Sequence, residues 1–390
     1  MKLLTIFPST IRGGSEEYAL TIAKAASGIG WEVHAAFPQT EGTDSVMKDF
    51  ELAKITYHEL DIVAVEGKKW KLFREHIPHF SRSISLLKKI SPNVVHVNVP
   101  WPYSCFDTLL ACGFLNIPTV VSFHLFPRYF SYSQVRLKAY QWFHRRNQTW
   151  IAISENNRNF ISQSFKIPKE ELALIYNGTK INSEFINYSS EQKTKLHYEL
   201  CQELGLNSDD IILLTVGRLD AQKGYQDLVQ VVSPIIEQFP NAKFVWVGEG
   251  NKREYLTKQI NQYNINDNVL LLGYRKDVPR LMKAADLFVF PTYFEGGQSL
   301  AIGEAMAYGL PIVTSDASGI PEIIKDKVYG LLFPKGDKEE LKKAILWSCK
   351  NPKGMQEMAK KAVTRVQDFS QWKMISQTLK VLEDMGSIHH

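Results

Sequence analysis

The chain has 390 residues, 44% of them hydrophobic, and carries 46 Lys and Arg against 41 Asp and Glu for a formal net charge of +5. That length and apolar content suit about two buried cores. The modest charge fits anionic substrates or a membrane surface and argues against a dedicated nucleic-acid binder. Cys105, Cys112, Cys201 and Cys349 lack the spacing of a metal site and read as buried free thiols. No apolar run approaches the length of a membrane span, and Leu3 to Phe7 is too short for a signal-peptide core. A cytosolic protein is expected, with peripheral contact to the inner face of a membrane as a further option.

In chain order, Lys2 to Phe7 reads as a strand, followed by a loop with Gly13-Gly14. A helix comes next, its apolar face formed by Ala19, Leu20, Ile22, Ala23 and Ala26 and its end marked by Gly28 and Gly30. Val33 to Phe37 completes a βαβ unit, and Val94 to Val97, Thr119 to Phe123 and Trp150 to Ile153 continue a parallel-sheet rhythm. The polar stretch from Asn177 to Asp210, with a helical pattern over Glu191 to Leu204, marks a domain boundary. Beyond it the rhythm repeats. Strands are predicted at Ile211 to Val216, Phe244 to Val247, Val269 to Leu272, Leu287 to Phe290, Ile312 to Thr314 and Leu331 to Phe333. An amphipathic helix is predicted over Trp372 to Met385. The fold class is α/β, with two doubly wound halves.

Ligands of such sheets bind at the carboxyl ends of strands. Glycines gather there: Gly217 after the first strand of the second half, Gly248 and Gly250 after the second, Gly273 after the third, Gly296 and Gly297 after the fourth. The segment Gly217-Arg218-Leu219-Asp220-Ala221-Gln222-Lys223-Gly224 puts an Arg and a Lys on the first of these loops, where they can stabilise charge developing on a phosphate. Isolated, an Arg and a Lys so spaced are ordinary solvated charges. Position after a strand shifts that balance. The densest segment is Pro291 to Gly309. Pro291 stops a buried strand, Gly296 and Gly297 permit a tight turn, and a helix starts near Ser299. The unpaired N–H groups of its first turn suit a phosphate. Glu295 and Glu304 flank that helix start and can accept hydrogen bonds from sugar hydroxyls.

The Glu295–Glu304 segment resembles the paired-glutamate signature of retaining glycosyltransferases of family 4 with the GT-B fold, and the resemblance extends over nearly the whole chain. Eight residues separate the glutamates where that family usually has seven. The extra residue falls in the Gly296-Gly297 turn and leaves the helix register of Glu304 untouched. The resemblance implies an acceptor-binding Rossmann-like domain over residues 1–180, completed by a crossing helix at 370–385. It implies a donor-binding one over 181–369, with the donor in the cleft between them. It further implies hexosyl transfer from a nucleotide sugar, UDP-glucose by family frequency, to a hydroxyl of a carbohydrate or lipid-linked saccharide in polysaccharide or glycoconjugate synthesis. No resident cofactor or metal is expected, and the chain lacks an Asp-x-Asp motif.

By the same resemblance, Arg218, Lys223, Glu295 and His124 form the catalytic set. Gly13, Gly14, Gly217, Gly248, Tyr274, Arg275, Gly296, Gly297, Gln298, Ser299, Leu300 and Glu304 contact the donor. Arg12-Gly13-Gly14-Ser15-Glu16 matches the family's GG-x-E loop, and His124 its histidine near the donor sugar, as a hydrogen-bond partner to a hydroxyl. Gly273-Tyr274-Arg275 falls where the base is held, mainly by backbone. A bare Gly-Gly or a lone histidine at a strand end is otherwise usually structural. Other readings stay open: a nucleotide-sugar epimerase of the same architecture, a glycosidase using the two glutamates, a dehydrogenase, and a non-catalytic carbohydrate-binding protein. The dehydrogenase is disfavoured because the first βα turn lacks the full glycine fingerprint. Two basic-aromatic stretches, Lys68 to Arg74 and Phe126 to Trp150, could sit on lipid headgroups, although each alone is more simply a helix with one buried face.

Overall fold

A computed structural model describes the chain except for residues 63–68, 127–129, 181–188, 298 and 388–390, and except for the side chains of residues 69–75. It divides into two compact units, Met1–Asn177 with Trp372–His390, and Gly178–Gln371. Each is built on an all-parallel sheet.

The first sheet contains β1 (Lys2–Ile6), β2 (Glu32–Phe37), β3 (Thr56–Glu59), β4 (Val94–Val99), β5 (Thr119–Phe123), β6 (Gln148–Ala152) and β7 (Leu172–Leu174), in the order β3-β2-β1-β4-β5-β6-β7. Helices cover both faces, so the central strands are buried on both sides, and β4 and β5 are buried at every residue. Runs dominated by valine and other apolar residues made these strands legible. Two strands escape the sequence reading, β3 and β7. The first is an edge strand of Thr-Tyr-His-Glu, partly exposed at every position, and the second is three residues long. The first carries no uninterrupted apolar run, and the second, Leu-Ala-Leu, is apolar but too short to stand out as a strand. The helix Gln371–Ser387 returns to this unit, where Met374, Leu382 and Met385 pack with Leu3, Ile22 and Val94. The Tyr18 hydroxyl meets Thr378 Oγ1 at 3.0 Å.

The second sheet contains β8 (Ile211–Val216), β9 (Ala242–Val247), β10 (Val269–Gly273), β11 (Leu287–Phe290), β12 (Ile312–Ser315) and β13 (Leu331–Phe333), in the order β10-β9-β8-β11-β12-β13. Its register pairs Leu213 with Phe244 on one side and with Leu287 on the other. The helix Tyr225–Ile236 buries Leu228, Val229, Val232 and Ile235 against this sheet, with Tyr225 edge-on to Trp246 at 5.3 Å. Both halves are thus doubly wound. In each sheet the strand order reverses direction beside the first strand, between β1 and β4 and between β8 and β11. Such a switch point opens a crevice at the carboxyl ends of the two strands.

Candidate active site

In the second unit the crevice lies between the loop after β8 (Gly217 to Gly224) and the loop after β11 (Pro291 to Ser299). Hydrogen bonds stitch the two loops together. The Gln222 carbonyl accepts from the Tyr293 N–H at 2.7 Å, and Gln222 Nε2 donates to the Phe294 carbonyl at 2.6 Å. Gly224 makes this closeness possible. Its φ is +75°, and a Cβ there would stand 1.8 Å from the Pro291 carbonyl oxygen, a position no side-chain carbon can take. The same logic holds at Gly248, where φ is +140° and a Cβ would lie 2.0 Å from the Gly217 carbonyl oxygen. The Gly248 N–H donates to the Gly273 carbonyl at 2.8 Å. Gly217, Gly248 and Gly273, separate in sequence, therefore form one continuous edge.

Charge is placed on that edge. Lys223 Nζ lies 2.5 Å from Glu295 Oε1, with both side chains largely buried. The lysine's methylenes run over Gly217, where an added Cβ would touch Lys223 Cγ at 3.5 Å, and its ammonium stands 5.1 Å from the Phe290 ring centre. Glu295 is held from two further sides. Thr292 Oγ1 lies 2.9 Å from its carboxylate, and its own N–H donates to Ser318 Oγ at 3.1 Å. Arg218 is different: its side chain is 65% exposed and has one long contact, 3.4 Å, to Asp220. The loop therefore presents one cation already engaged and one facing solvent.

The helix Leu300–Ala307 begins at Ser299, which is buried and, among the described residues, makes no side-chain capping bond. Its first backbone bond runs from the Gly303 N–H to the Ser299 carbonyl at 3.0 Å, so the amides before Gly303 have no carbonyl within the helix. Leu300 is half exposed, and Gly296 and Gly297 form the bend that precedes the helix. Gln298 lies outside the described residues. Glu304, one turn in, has its carboxyl pushed up to about 7 by burial, with the Lys180 charge pulling the other way.

That shift has two readable consequences. Between the ordinary carboxyl value and about 7 the folded chain binds more protons at Glu304 than the unfolded chain does, so this group's contribution to stability declines as pH rises through that window. Glu304→Gln is expected to remove that slope in urea unfolding measured across it. Hydroxyl donors favour the ionised form. Affinity for any ligand that donates hydroxyls to this carboxylate is therefore expected to rise with pH through about 7 in the unsubstituted protein, and to lose that dependence in the variant by calorimetry.

Arg275, placed in the donor set by resemblance, has its guanidinium committed elsewhere. It bonds both oxygens of Asp277 at 2.8 and 2.7 Å and reaches Glu203 at 2.8 Å, a cluster that Arg280 joins. A ligand at this loop meets its backbone and the exposed Tyr274.

In the first unit, Gly13 caps the helix Gly14–Gly28, and Gly14 has open space above it. The buried Glu16 carboxylate accepts from Ser9 and, at 2.6 Å, from Ser15. His124 follows β5, buried, with the Tyr18 ring edge-on at 4.9 Å and Nε2 3.3 Å from Asn98 Oδ1. Burial pushes its pKa down to about 3, as it does for His96 beside it, so His124 is a neutral hydrogen-bonding group at physiological pH. Asn98, in turn 3.3 Å from Thr5 Oγ1, holds the ring in place. Sequence reading missed Asn98, and it gave Gln222, Thr292 and Gly224 no individual part. Asn98 alternates with apolar residues in β4, a signal that reads as strand packing until its neighbour is known. Gln222 carries no local pattern at all, and Thr292 none beyond its neighbour Glu295, since the two meet from 70 residues apart.

Family models match almost end to end: "Glycosyltransferase Family 4" over residues 12–182 and "Glycosyl transferases group 1" over residues 199–365. An uncharacterized glycosyltransferase of Methanocaldococcus jannaschii is 34% identical over 188 residues, 47% of each chain. A UDP-Gal:alpha-D-GlcNAc-diphosphoundecaprenol alpha-1,3-galactosyltransferase of Escherichia coli is 35% identical over 150 residues, 37% of this chain and 38% of that one. The aligned stretches thus span about half or less of these relatives. The fold is matched along nearly its whole length by Anabaena HepE, solved with UDP, at a TM-score of 0.80 and 22% identity, covering 98% of this chain and 100% of that one. A glycosyltransferase of Rickettsia africae gives 0.81 at 17% identity, covering 99% of each. With two such models joined across the two doubly wound units, the chain belongs to the family 4, group 1 glycosyltransferases with the GT-B fold.

Proposed function

We propose that this protein transfers a hexosyl group from a UDP-linked donor, glucose first among the alternatives, to a hydroxyl of a saccharide acceptor with retention of anomeric configuration. The observation that carries the proposal is the Lys223–Glu295 pair, held at 2.5 Å on two loops stitched together at the switch point. A diphosphate leaving group needs positive charge aimed at its oxygens, and a sugar needs an acceptor for its hydroxyls. In the proposed reaction the bond from the anomeric carbon to the phosphate oxygen breaks. The acceptor oxygen bonds that carbon on the same face, and the acceptor's proton passes to the departing phosphate oxygen. Arg218, Lys223 and the Leu300 helix start take the diphosphate, without a metal. Glu304 takes the ribose hydroxyls and Glu295 the sugar. His124 and the Gly13-Gly14 loop, on the first unit, are assigned to sugar and acceptor contacts by resemblance. HepE was also solved with UDP-glucose, which supports the donor choice. Relatives named for diphosphoundecaprenol-linked substrates support a lipid-linked acceptor in polysaccharide or glycoconjugate synthesis.

Thermal denaturation with nucleoside diphosphates and their sugars, in chelator, tests the donor assignment. A ligand at a hundredfold excess over its Kd stabilises by about 2.7 kcal/mol, so UDP and UDP-glucose are expected to raise the melting temperature by several degrees while GDP and ADP do not. Absence of any shift in folded protein would remove the donor reading and favour a carbohydrate-binding protein.

A further inference from the structure

Three consecutive helices of the first unit, 69–90, 106–115 and 134–144, pack side by side. Over the residues whose side chains are described, 76–90, 106–115 and 134–144 with Arg145 and Arg146 just beyond, they hold seven Lys and Arg against one acid, Asp107. Asp107 is buried and its carboxylate is taken up by His76 at 2.6 Å, with His79 at 3.7 Å. The charge of this layer exceeds the +5 of the whole chain, so the remainder of the protein is net acidic. Positive charge is concentrated here rather than spread.

Large apolar side chains stand open on the same layer. Phe114 is 65% exposed, Ile77 62% and Trp142 41%. They are neighbours. The rings of Phe80 and Phe114 lie 6.1 Å apart, Ile77 is one turn from Phe80, and a Cβ at Gly113 would come within 3.3 Å of the Trp142 ring. Arg146 stacks over Trp142 at 5.2 Å. On the last helix Val135, Lys138 and Trp142 recur at helical spacing on the exposed side. Most other aromatics of the Phe126 to Trp150 stretch do not join them. Phe126, Tyr140, Phe143 and Trp150 are buried together with Phe165, so for those residues the sequence pattern marks core and not interface. The placement of Lys68 to Arg74 side chains lies outside the described residues.

We propose that this face docks on a bilayer bearing anionic headgroups, with Phe114, Trp142 and Ile77 entering the interfacial region and Arg145, Arg146 and Lys138 meeting the headgroups. Charge complementarity selects the occupant, because a basic surface attracts anionic lipid, while exposed rings flanked by arginine suit the boundary between headgroup and acyl chain. No described helix is long and apolar enough to cross a membrane, so the contact is peripheral. The inference rests on surface chemistry and is independent of the donor assignment.

The test is co-sedimentation of the full chain with vesicles of phosphatidylcholine alone or mixed with phosphatidylglycerol, without nucleotide. Binding is expected only with the anionic vesicles and is expected to weaken with salt. Each basic residue near the surface is worth roughly fivefold in partitioning, so Arg145→Glu with Arg146→Glu should weaken it by about thirtyfold or more. Phe114→Ser should weaken it independently of salt. UDP affinity should stay unchanged in both variants, which also shows that they are folded. Equal binding to neutral vesicles, or no loss in the charge variant, would overturn the proposal. Loss in the charge variant with Phe114→Ser unaffected would also overturn it, pointing to a polyanion such as nucleic acid.

Discussion

Lys223→Ala is expected to lower turnover by a factor on the order of 10² to 10³, the usual cost of losing one preorganised donor to a developing oxyanion. The structure adds a second expectation. Lys223 is the ion-pair partner of Glu295, and both side chains are largely buried. Removing the lysine strands a carboxylate, which typically costs roughly 3–5 kcal/mol when a buried pair is broken. Stability and catalysis should therefore separate in the double variant Lys223→Ala, Glu295→Gln, which removes the stranded charge. Its unfolding midpoint should recover most of the loss and its turnover none. Steady-state kinetics with a UDP-sugar alongside urea unfolding makes the comparison. If the double variant recovers turnover as well, the lysine serves the fold and not the leaving group.

Gly224→Ala is expected to do comparable damage by a purely steric route. A left-handed backbone costs an alanine on the order of 1–3 kcal/mol at a constrained site. Here the methyl group would also sit 1.8 Å from the Pro291 carbonyl oxygen. The loops must part, and the bonds that Gln222 makes to Tyr293 and Phe294 are lost with them. Both a lower melting temperature and a loss of UDP affinity are expected. Gly205→Ala supplies the control, because Gly205 also has positive φ, +68°, but nothing within 4 Å of its Cβ position. It should cost stability modestly and leave UDP affinity intact. Equal effects on affinity at the two sites would show that strain rather than loop spacing governs binding.

What could be read in advance follows from how local each signal is. The strands of the second unit were legible because each is a short apolar run, most of them closed by glycine or proline, as Leu287 to Phe290 is closed by Pro291. The edge strand Thr56–Glu59 was not, since half-solvated strands carry no such run. The loop after β8 was legible as a place for charge, yet its sequence does not say that Lys223 is buried against a carboxylate while Arg218 faces solvent. That division comes from Glu295, 72 residues on. Likewise, Arg275 matches a family position, but its commitment to Asp277 and Glu203 depends on the helix Ser190–Leu204 packing nearby. Aromatic residues around Trp142 show the same limit. Sequence gives their number, and only the packing tells which rings are core.

The returning helix Gln371–Ser387 sets an order on biogenesis. Residues 1–177 leave the ribosome first, but the hydrophobic cluster they begin includes Met374, Leu382 and Met385. The second unit is contiguous, and all of it is synthesised before the first can be completed. A vectorially growing chain therefore holds apolar surface open along Leu3, Ile22 and Val94 until the helix Gln371–Ser387 arrives. That interval is where a nascent-chain chaperone has most to cover.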